Sequence, residues 1–249
     1  MQGLILAAGR GSRLGDITKH HPKGLTLLAD KPLIEWQISA MNKAGIKQIN
    51  ACTGYLFEQI SPYVSGTFYN EHWHSSNMVR SLMMAFSALS AETTMISYSD
   101  IIYSENCVKR LAETKGDIVI AYDPNWLTQW QLRFDNPLED AESFMLNDHG
   151  KLTEIGRSNP VLEDVMGQYM GLIKLTPAGC EKIKSYLSSQ SDEQVNQLDM
   201  TTLLNNLINN GVCIDVCAID ESWFEIDNEK DLAICEKTLQ DFNWITNES

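Results

Sequence analysis

Residues 4–25 read LILAAGRGSRLGDITKHHPKGL, and this stretch decides the fold and points to a ligand site. Its first apolar residues are typical of a short buried strand, and a turn with several glycines follows directly. Glycine permits positive φ angles and lets a ligand approach consecutive backbone N–H groups. Arg13 and Lys23 add two positive charges to the same stretch. The sequence therefore predicts a strand that ends in a phosphate-binding loop.

The loop differs from the two established phosphate-binding patterns. GxxxxGK[ST] is missing, and Gly9-Arg10-Gly11 lacks the third glycine of GxGxxG. A dinucleotide-dependent oxidoreductase is disfavoured for this reason, and because no acidic residue ends a strand about 20 residues further on. A strand and turn with a purely structural role are the alternative at this point.

Short apolar runs recur along the chain, and most are bounded by turn or polar residues, as expected of buried strands. They lie at residues 3–8, 49–53, 94–98, 117–122, 171–174 and 212–218. Apolar residues at helical spacing predict helices at 32–44 and 77–91. Strands that alternate with helices predict an α/β fold, with a Rossmann-like, mostly parallel sheet sandwiched by helices. Such sheets bind ligands beside the carboxyl ends of their strands.

The length of 249 residues predicts one domain over residues 1–249. Residues 124–156 differ from the rest because they are aromatic, acidic and rich in turn signals. We interpret them as a small β-rich insertion over the sheet edge, on the side that selects a substrate. A last helix is predicted to begin near residue 228, and the end of the tail to fray.

The charge balance disfavours two classes of partner. With 33 acidic and 19 basic residues, the formal net charge is −14, which repels nucleic acid and anionic membrane surfaces. We identify neither an export signal nor a transmembrane segment. Six scattered cysteines without CxxC spacing favour reduced thiols, and we expect a cytoplasmic protein. The oligomeric state is open, with a homodimer as one option.

LILAAGRGSRLGDIT followed by HPKGL closely resembles the signature LxAAGxGxRxxxxT and PKxL of the nucleotidyltransferases that make nucleotide-activated sugars and alcohols. The resemblance implies that the loop wraps a nucleoside triphosphate, that Arg13 holds its phosphates, and that Lys23 stabilises the transferring phosphoryl group. The nucleotide-binding residues that it implies on this loop are Leu6, Ala7, Ala8, Gly9, Gly11 and Ser12.

The resemblance also implies a metal site. Asp100 in MISYSDIIY and Asp227 in WFEIDNEKDL match the family's two metal-binding aspartates. Carboxylates at two strand ends can converge on one Mg²⁺ ion, which takes oxygen ligands and bridges phosphates. Helix capping is the alternative for each residue, with Asp227 as the N-cap of the last helix.

Within this family, residues 69–82, YNEHWHSSNMVRSL, resemble the choline-phosphate cytidylyltransferase branch most. The resemblance implies that Asn77 and Ser81 bind CTP, together with Gly54 and Tyr55 at the end of an earlier strand. An N-cap asparagine and a solvent-facing serine are the alternative for the first pair.

The same branch implies an acceptor site beside the insertion. Trp126 and Trp130 resemble its aromatic positions and offer cation–π contacts to a quaternary ammonium group, worth about 0.5–2 kcal/mol each. Packing of the insertion is the alternative for at least one of them. Further residues expected on the acceptor side are Glu154, Arg157, Gln168, Tyr169 and Gly171.

The expected activity is Mg²⁺-dependent transfer of CMP from CTP to a small phosphate or phosphonate, with release of pyrophosphate. Phosphocholine, an aminoalkyl phosphonate and a phosphorylated amino-acid amide are the acceptors considered, and the CDP-linked product would serve cell-surface glycan decoration. A sugar-1-phosphate nucleotidyltransferase that uses UTP or dTTP is the alternative enzyme. A non-catalytic nucleotide-binding regulatory subunit is the alternative of another class, and the retention of Arg13, Lys23 and both aspartates argues against it.

Overall fold

A computed structural model of the chain describes residues 1–242 and Trp244. Its strands, numbered along the chain, are β1 Gln2–Ala7, β2 Leu27–Leu28, β3 Lys31–Pro32, β4 Ile49–Thr53, β5 Gly66–Tyr69, β6 Thr94–Tyr98, β7 Ile101–Ile102, β8 Ile118–Asp123, β9 Phe144–Leu146, β10 Leu152–Ile155, β11 Gln168–Leu175, β12 Asp215–Ala218 and β13 Phe224–Glu225. Its α-helices are α1 Leu33–Lys43, α2 Phe57–Ile60, α3 Met78–Met84, α4 Phe86–Leu89, α5 Glu105–Glu113, α6 Trp126–Arg133, α7 Pro177–Leu187, α8 Asp192–Gln197, α9 Met200–Asn209 and α10 Glu229–Thr238.

The central sheet of the described chain has seven strands in the order β12-β8-β11-β6-β1-β4-β5. Strand β11 is antiparallel to β6 and β8, and the other six strands run parallel to one another. The predicted α/β fold with a mostly parallel sheet is confirmed. Because β1 lies between β4 and β6, the glycine-rich loop leaves from an interior strand, at the carboxyl edge of the sheet.

Strand β1 is buried on both faces, which explains its continuous apolar sequence. Ile5 and Ala7 join one core cluster, which packs against α1 and α5. Leu4 and Leu6 point to the opposite face and join a second cluster, which packs against α7 and α9. Helices therefore cover both faces of the sheet, as predicted.

The helix predicted over residues 77–91 is divided. Ala85 has φ −94° and ψ 3°, so it leaves the helical conformation between α3 and α4. The last helix begins as predicted, because Asn228 caps α10. The predicted fraying at the end of the tail concerns residues outside the described part of the chain.

The insertion at residues 124–156 is β-rich only in its second half, where β9 and β10 form an antiparallel ribbon. Its first half is helix α6, so the prediction was wrong there. Trp126 and Trp130 are four residues apart and share one helical face, which packs into the core. None of the helices in the described residues has the length and apolarity that a membrane crossing requires.

Candidate active site

The loop after β1 folds closely around Lys23. Gly11 adopts the left-handed conformation with φ 75°. A Cβ atom built on Gly11 would lie 2.6 Å from the Cβ atom of Lys23, so only glycine fits this position. The hydroxyl group of Thr18 donates a hydrogen bond to the Gly11 carbonyl oxygen at 2.9 Å. The glycine-rich turn and the Pro-Lys pair therefore form one packed unit.

Lys23 is a buried ammonium group held between two carboxylates. Its Nζ lies 2.6 Å from Oδ2 of Asp100 and 2.7 Å from Oδ1 of Asp227. Burial by itself lowers the pKa of Lys23, but the two carboxylates outweigh this effect and raise the pKa above its usual value. Lys23 is therefore positively charged, which suits the predicted contact with phosphate.

The two aspartates meet because two short strands pair. Asp100 lies between β6 and β7, and Asp227 follows β13. Strands β7 and β13 are antiparallel, with Ile101 opposite Glu225. The N–H group of Ile226 also donates to the carbonyl oxygen of Asp100 at 2.9 Å. This pairing brings together two residues that are far apart in the sequence, as the metal-site prediction requires.

Asn228, and not Asp227, caps helix α10. Its side chain accepts a hydrogen bond from the N–H group of Asp231 at 3.0 Å, so the capping alternative for Asp227 is wrong. Oδ1 of Asp100 is buried and has no hydrogen-bond partner among the described residues. An unpaired buried carboxylate oxygen costs free energy, which a bound cation would offset.

Glu225 adds a third carboxylate that the sequence analysis missed. One carboxylate oxygen each from Asp100, Glu225 and Asp227 lies within 4.8 Å of the others. Glu225 and Asp227 are two residues apart at the end of a strand, so both side chains point to the same face. This alternation in FEID is the signal that could have identified Glu225. Three carboxylates in this arrangement suit a hard divalent cation.

Positive charges surround Asp227 on both sides. Arg13 Nη2 lies 2.9 Å from Oδ1 of Asp227, and Arg133 Nη2 lies 3.6 Å from Oδ2. Burial by itself raises the pKa of Asp227, but Lys23 and both arginines lower it below its usual value. Burial first, and then repulsion by Asp227, raise the pKa of Glu225 to about 8.

A small cavity of about 140 Å³ opens beside the glycine-rich loop. Of the predicted nucleotide-binding residues, Leu6, Ala8, Gly9, Asn77 and Ser81 line it. Ala7 is buried in the core, and Ser12 begins a short 3-10 helix outside the cavity lining. The loop and α3 thus converge on one space.

Gly54 and Tyr55, which directly follow strand β4, support the loop. A Cβ atom on Gly54 would lie 2.4 Å from the Cβ atom of Trp73 and 2.7 Å from the carbonyl oxygen of Ala8. The N–H group of Tyr55 donates to that same oxygen at 3.0 Å. Trp73 also lines the cavity, and no motif in the sequence identified it.

Asn77 and Ser81 have different surroundings. Oδ1 of Asn77 accepts a hydrogen bond from the N–H group of Met78 at 2.8 Å, so Asn77 caps helix α3. Asn77 also lines the cavity. Ser81 is buried, and its Oγ accepts a hydrogen bond from Nδ2 of Asn70 at 3.0 Å. The solvent-facing alternative for Ser81 is therefore wrong. Contact of either residue with CTP stays a prediction.

A larger cavity of about 300 Å³ adjoins the carboxylates, and Arg13, Glu225 and Asp227 form part of its wall. Four of the residues expected on the acceptor side line it: Trp130, Gln168, Tyr169 and Gly171. Three acidic residues that the sequence analysis missed line it as well: Asp140, Glu142 and Asp199. Asp140 and Glu142 come from one segment and Asp199 from another, and only the fold brings them to one cavity.

Three residues expected on the acceptor side do not line this cavity. Trp126 is buried in the core, and its Nε1 donates to the carbonyl oxygen of Val165 at 3.2 Å. Arg157 forms ion pairs with Glu154 at 2.8 Å and with Asp164 at 2.7 Å. The packing alternative therefore holds for Trp126, and Glu154 and Arg157 bind each other at the surface.

Comparison with known proteins agrees with this geometry. The sequence profile of the MobA-like NTP transferase domain matches residues 3–154, which contain the glycine-rich loop, Lys23 and Asp100. The CTP:phosphoglutamine cytidylyltransferase of Campylobacter jejuni is 31% identical over 253 residues, which cover 94% of this chain and 98% of that protein. The 2-aminoethylphosphonate cytidylyltransferase of Lancefieldella rimae is 28% identical over 160 residues, with 62% and 60% covered.

Among solved structures, the CTP:phosphocholine cytidylyltransferase of Streptococcus pneumoniae has the same fold. It aligns with a TM-score of 0.72 over 96% of this chain and 98% of its own, at 22% sequence identity. The profile covers more than half of the chain, and the Campylobacter protein is similar along almost its whole length. This chain therefore belongs to the family of MobA-like NTP transferase domains.

Proposed function

We propose that the protein is a CTP-dependent cytidylyltransferase that transfers CMP to a small phosphate or phosphonate and releases pyrophosphate. The observation that carries this proposal is the contact of Lys23 with two of three clustered carboxylates, directly behind the glycine-rich loop. Positive groups and carboxylates in one place serve a triphosphate and its metal ion together. The named activities of the similar cytidylyltransferases support the same reaction.

The nucleotide lies across the carboxyl end of β1 in this proposal. Its base occupies the cavity of about 140 Å³ beside Ala8, Asn77 and Ser81, whose small size suits a single pyrimidine ring. The backbone N–H groups of the glycine-rich loop bind the phosphates. Arg13, whose side chain is 69% exposed, can turn from Asp227 toward the phosphates.

Asp100, Glu225 and Asp227 would hold one Mg²⁺ ion, and the unpaired Oδ1 of Asp100 supports its presence. A bound ion would supply positive charge against the phosphates. Lys23 would contact the α-phosphate region, and it stays charged because the two carboxylates beside it raise its pKa. These groups are positioned before the reaction, which is how such sites lower a barrier.

The acceptor binds in the cavity of about 300 Å³, with its phosphate or phosphonate toward Arg13. Its oxygen forms a bond to the α-phosphorus of CTP, while the bond from that phosphorus to pyrophosphate breaks. The attacking oxygen is already anionic near neutral pH, so no side chain needs to remove a proton. The side chains that line this cavity orient the acceptor and exclude water.

The wall of this cavity favours an acceptor with a positive group at its other end. Asp140, Glu142 and Asp199 contribute carboxylates, and Trp130 contributes an aromatic ring. The acceptors in the names of the similar enzymes, phosphoglutamine, 2-aminoethylphosphonate and phosphocholine, each carry an amine or ammonium group. The uncharged sugar of a hexose 1-phosphate would leave these carboxylates without a cationic partner.

Pyrophosphate release tests the proposal directly. The purified protein is incubated with Mg²⁺, one of CTP, UTP, dTTP or GTP, and one acceptor: phosphocholine, 2-aminoethylphosphonate, phosphorylated glutamine or glucose 1-phosphate. We expect release with CTP and at least one amine-bearing acceptor. Release only with UTP or dTTP and glucose 1-phosphate would establish the sugar-nucleotide alternative. CTP binding without release would favour a regulatory subunit.

Cytoplasmic location and a homodimer stay predictions.

A further inference from the structure

Arg133 is a charged side chain buried beside the three clustered carboxylates. It is the last residue of α6, and its side chain has 0% exposure. Burial of a guanidinium group costs free energy unless carboxylates pair with it at good geometry. The rings of Trp130 and Phe134 each lie 5.0 Å from its central carbon atom and help to exclude water. The partners of Arg133 therefore decide what it does.

Each nitrogen of the guanidinium group contacts a carboxylate. Nε and Nη2 donate to the two oxygens of Asp231 at 3.0 Å and 3.1 Å. Nη1 donates to Oε2 of Glu225 at 2.9 Å. Nη2 also lies 3.6 Å from Oδ2 of Asp227. A planar fork of donors matches this set, and a lysine, with one ammonium group, cannot contact all three carboxylates in the same way.

Asp231 extends this contact to the backbone. Its Oδ2 accepts from the N–H group of Asp227 at 3.1 Å and from Nδ2 of Asn228 at 2.9 Å. Arg133 therefore fixes Glu225 directly and fixes the turn that carries Asp227 through Asp231. Because Lys23 and Arg13 hold the other oxygen of Asp227, that carboxylate is constrained from both sides.

We infer that Arg133 is a positioning residue, which holds Glu225 and Asp227 at the separation from Asp100 that lets one divalent cation contact all three. The inference rests on the proposed function in that the cation belongs to the proposed reaction. Arg133 itself contacts neither substrate nor metal in this account. Partners that orient metal ligands in this manner typically contribute a factor of about 10 to 100 in metal affinity.

The test compares Arg133→Lys and Asp231→Asn with the wild-type protein. Arg110→Lys is the control, since Arg110 also pairs with an aspartate, Asp220, but lies on α5 with 42% of its side chain exposed. Mn²⁺ serves as the metal probe, and its binding is measured by electron paramagnetic resonance with and without CTP. The Mg²⁺ concentration for half-maximal pyrophosphate release is measured in parallel, and near-ultraviolet circular dichroism reports on folding.

We expect the Mn²⁺ dissociation constant and the Mg²⁺ requirement to rise about 10- to 100-fold in Arg133→Lys and Asp231→Asn, with little loss of rate at saturating metal. The control should match the wild-type protein. A folded Arg133→Lys or Asp231→Asn variant with unchanged metal affinity would overturn the inference. Failure of both to fold would overturn it as well, because Arg133 would then be a structural residue.

Failure of the proposed function has a different signature. If the wild-type protein releases no pyrophosphate from CTP, the proposed reaction is wrong. The Mn²⁺ dissociation constants of Arg133→Lys and the wild-type protein then still test the role of Arg133. If the wild-type protein releases pyrophosphate and the variants keep its metal affinity, only the role of Arg133 is wrong.

Discussion

At the scale of single residues, the ammonium group of Lys23 contacts both aspartates of the site, and in the proposed function it also contacts the phosphates. Lys23→Ala should lower turnover by about 10²- to 10³-fold, because a preorganised positive charge is lost where charge develops in the transition state. CTP binding should weaken far less, since the loop N–H groups and Arg13 remain. Pyrophosphate release measures the turnover, and titration calorimetry measures the binding.

Lys182→Ala is the matched control for this experiment. Lys182 forms an exposed ion pair with Asp117 at 2.8 Å on helix α7, outside the linings of both cavities beside the loop. Its loss should leave turnover unchanged. Turnover of Lys23→Ala within a few-fold of the wild-type rate would remove Lys23 from its assigned role.

Glu225 gives the site a dependence on pH. Burial, and then Asp227, raise its pKa from 4.5 to about 8, so a proton must leave before Glu225 can bind a metal ion. As pH rises toward this pKa, the metal dissociation constant should fall by up to about tenfold for each pH unit. Above this pKa the constant should level off. Mn²⁺ titrations at several pH values measure this slope.

The matched variant is Glu225→Gln, which keeps the shape of the side chain but cannot ionise. This variant should bind Mn²⁺ weakly at every pH. Its Mn²⁺ dissociation constant should lack the part of the pH dependence that comes from ionisation of Glu225. A wild-type dissociation constant that stays constant up to pH 8 would contradict the prediction. Because its pKa is raised, Glu225 holds its proton more tightly in the folded metal-free protein than in the unfolded chain. The stabilisation that this proton gives the folded state is therefore lost as pH rises from 4.5 to about 8.

The sequence predicted the residues that sit in a contiguous motif, such as Gly11 and Lys23, because the motif itself encodes their chemistry. It predicted Asp100 and Asp227 only through the family resemblance. Arg133 is different, since its partners lie more than 90 positions away and no local pattern reveals the contact. Ion pairs between distant elements become visible only when the fold is known.

At the scale of elements, the end of β4 packs directly against the glycine-rich loop. In Gly54→Ala, the new Cβ atom would lie 2.4 Å from Trp73 and 2.7 Å from the Ala8 carbonyl oxygen, and neither neighbour is the end of a flexible side chain. The loop must therefore shift. We expect the free energy of unfolding to fall by about 1–3 kcal/mol and the CTP dissociation constant to rise.

Thermal or urea unfolding measures the first effect, and calorimetry the second. Gly9→Ala is the control for stability in the same loop, because a Cβ atom there would meet nothing within 4 Å and its φ is not positive. Equal stability of the two alanine variants would show that the contact of β4 with the loop is not tight.

Six strands of the central sheet were predictable as short apolar runs, and β4 and β6 have the predicted bounds, but β5 was not predicted. Helix α6 was not, because tryptophans favour strands in general. Its two tryptophans sit four residues apart, and Trp130 packs with Trp223 from a segment near the other end of the chain. Tertiary packing decided the conformation, and the local sequence was ambiguous.

At the scale of the whole molecule, the chain carries a net charge of −14, yet Arg13, Lys23 and Arg133 lie together at the carboxyl edge of its sheet. The topology achieves this, because β1 is an interior strand and the β7–β13 pair returns the end of the chain to it. Carboxylates pair with all three cations, so in the proposed function a bound divalent cation would supply the positive charge that an anionic nucleotide requires. The sequence predicted a ligand site at the carboxyl edge of the sheet, but it did not predict the pairing of β7 with β13.

The fate of the α-phosphorus of CTP tests the central claim most directly. The protein is incubated with Mg²⁺, an amine-bearing phosphate or phosphonate acceptor, and CTP labelled with ³²P at either the α or the γ position. The account predicts that the α label moves into a new CDP-linked product and that the γ label leaves as pyrophosphate. Transfer of the γ label to the acceptor, or labelled CTP that stays intact while bound, would contradict it.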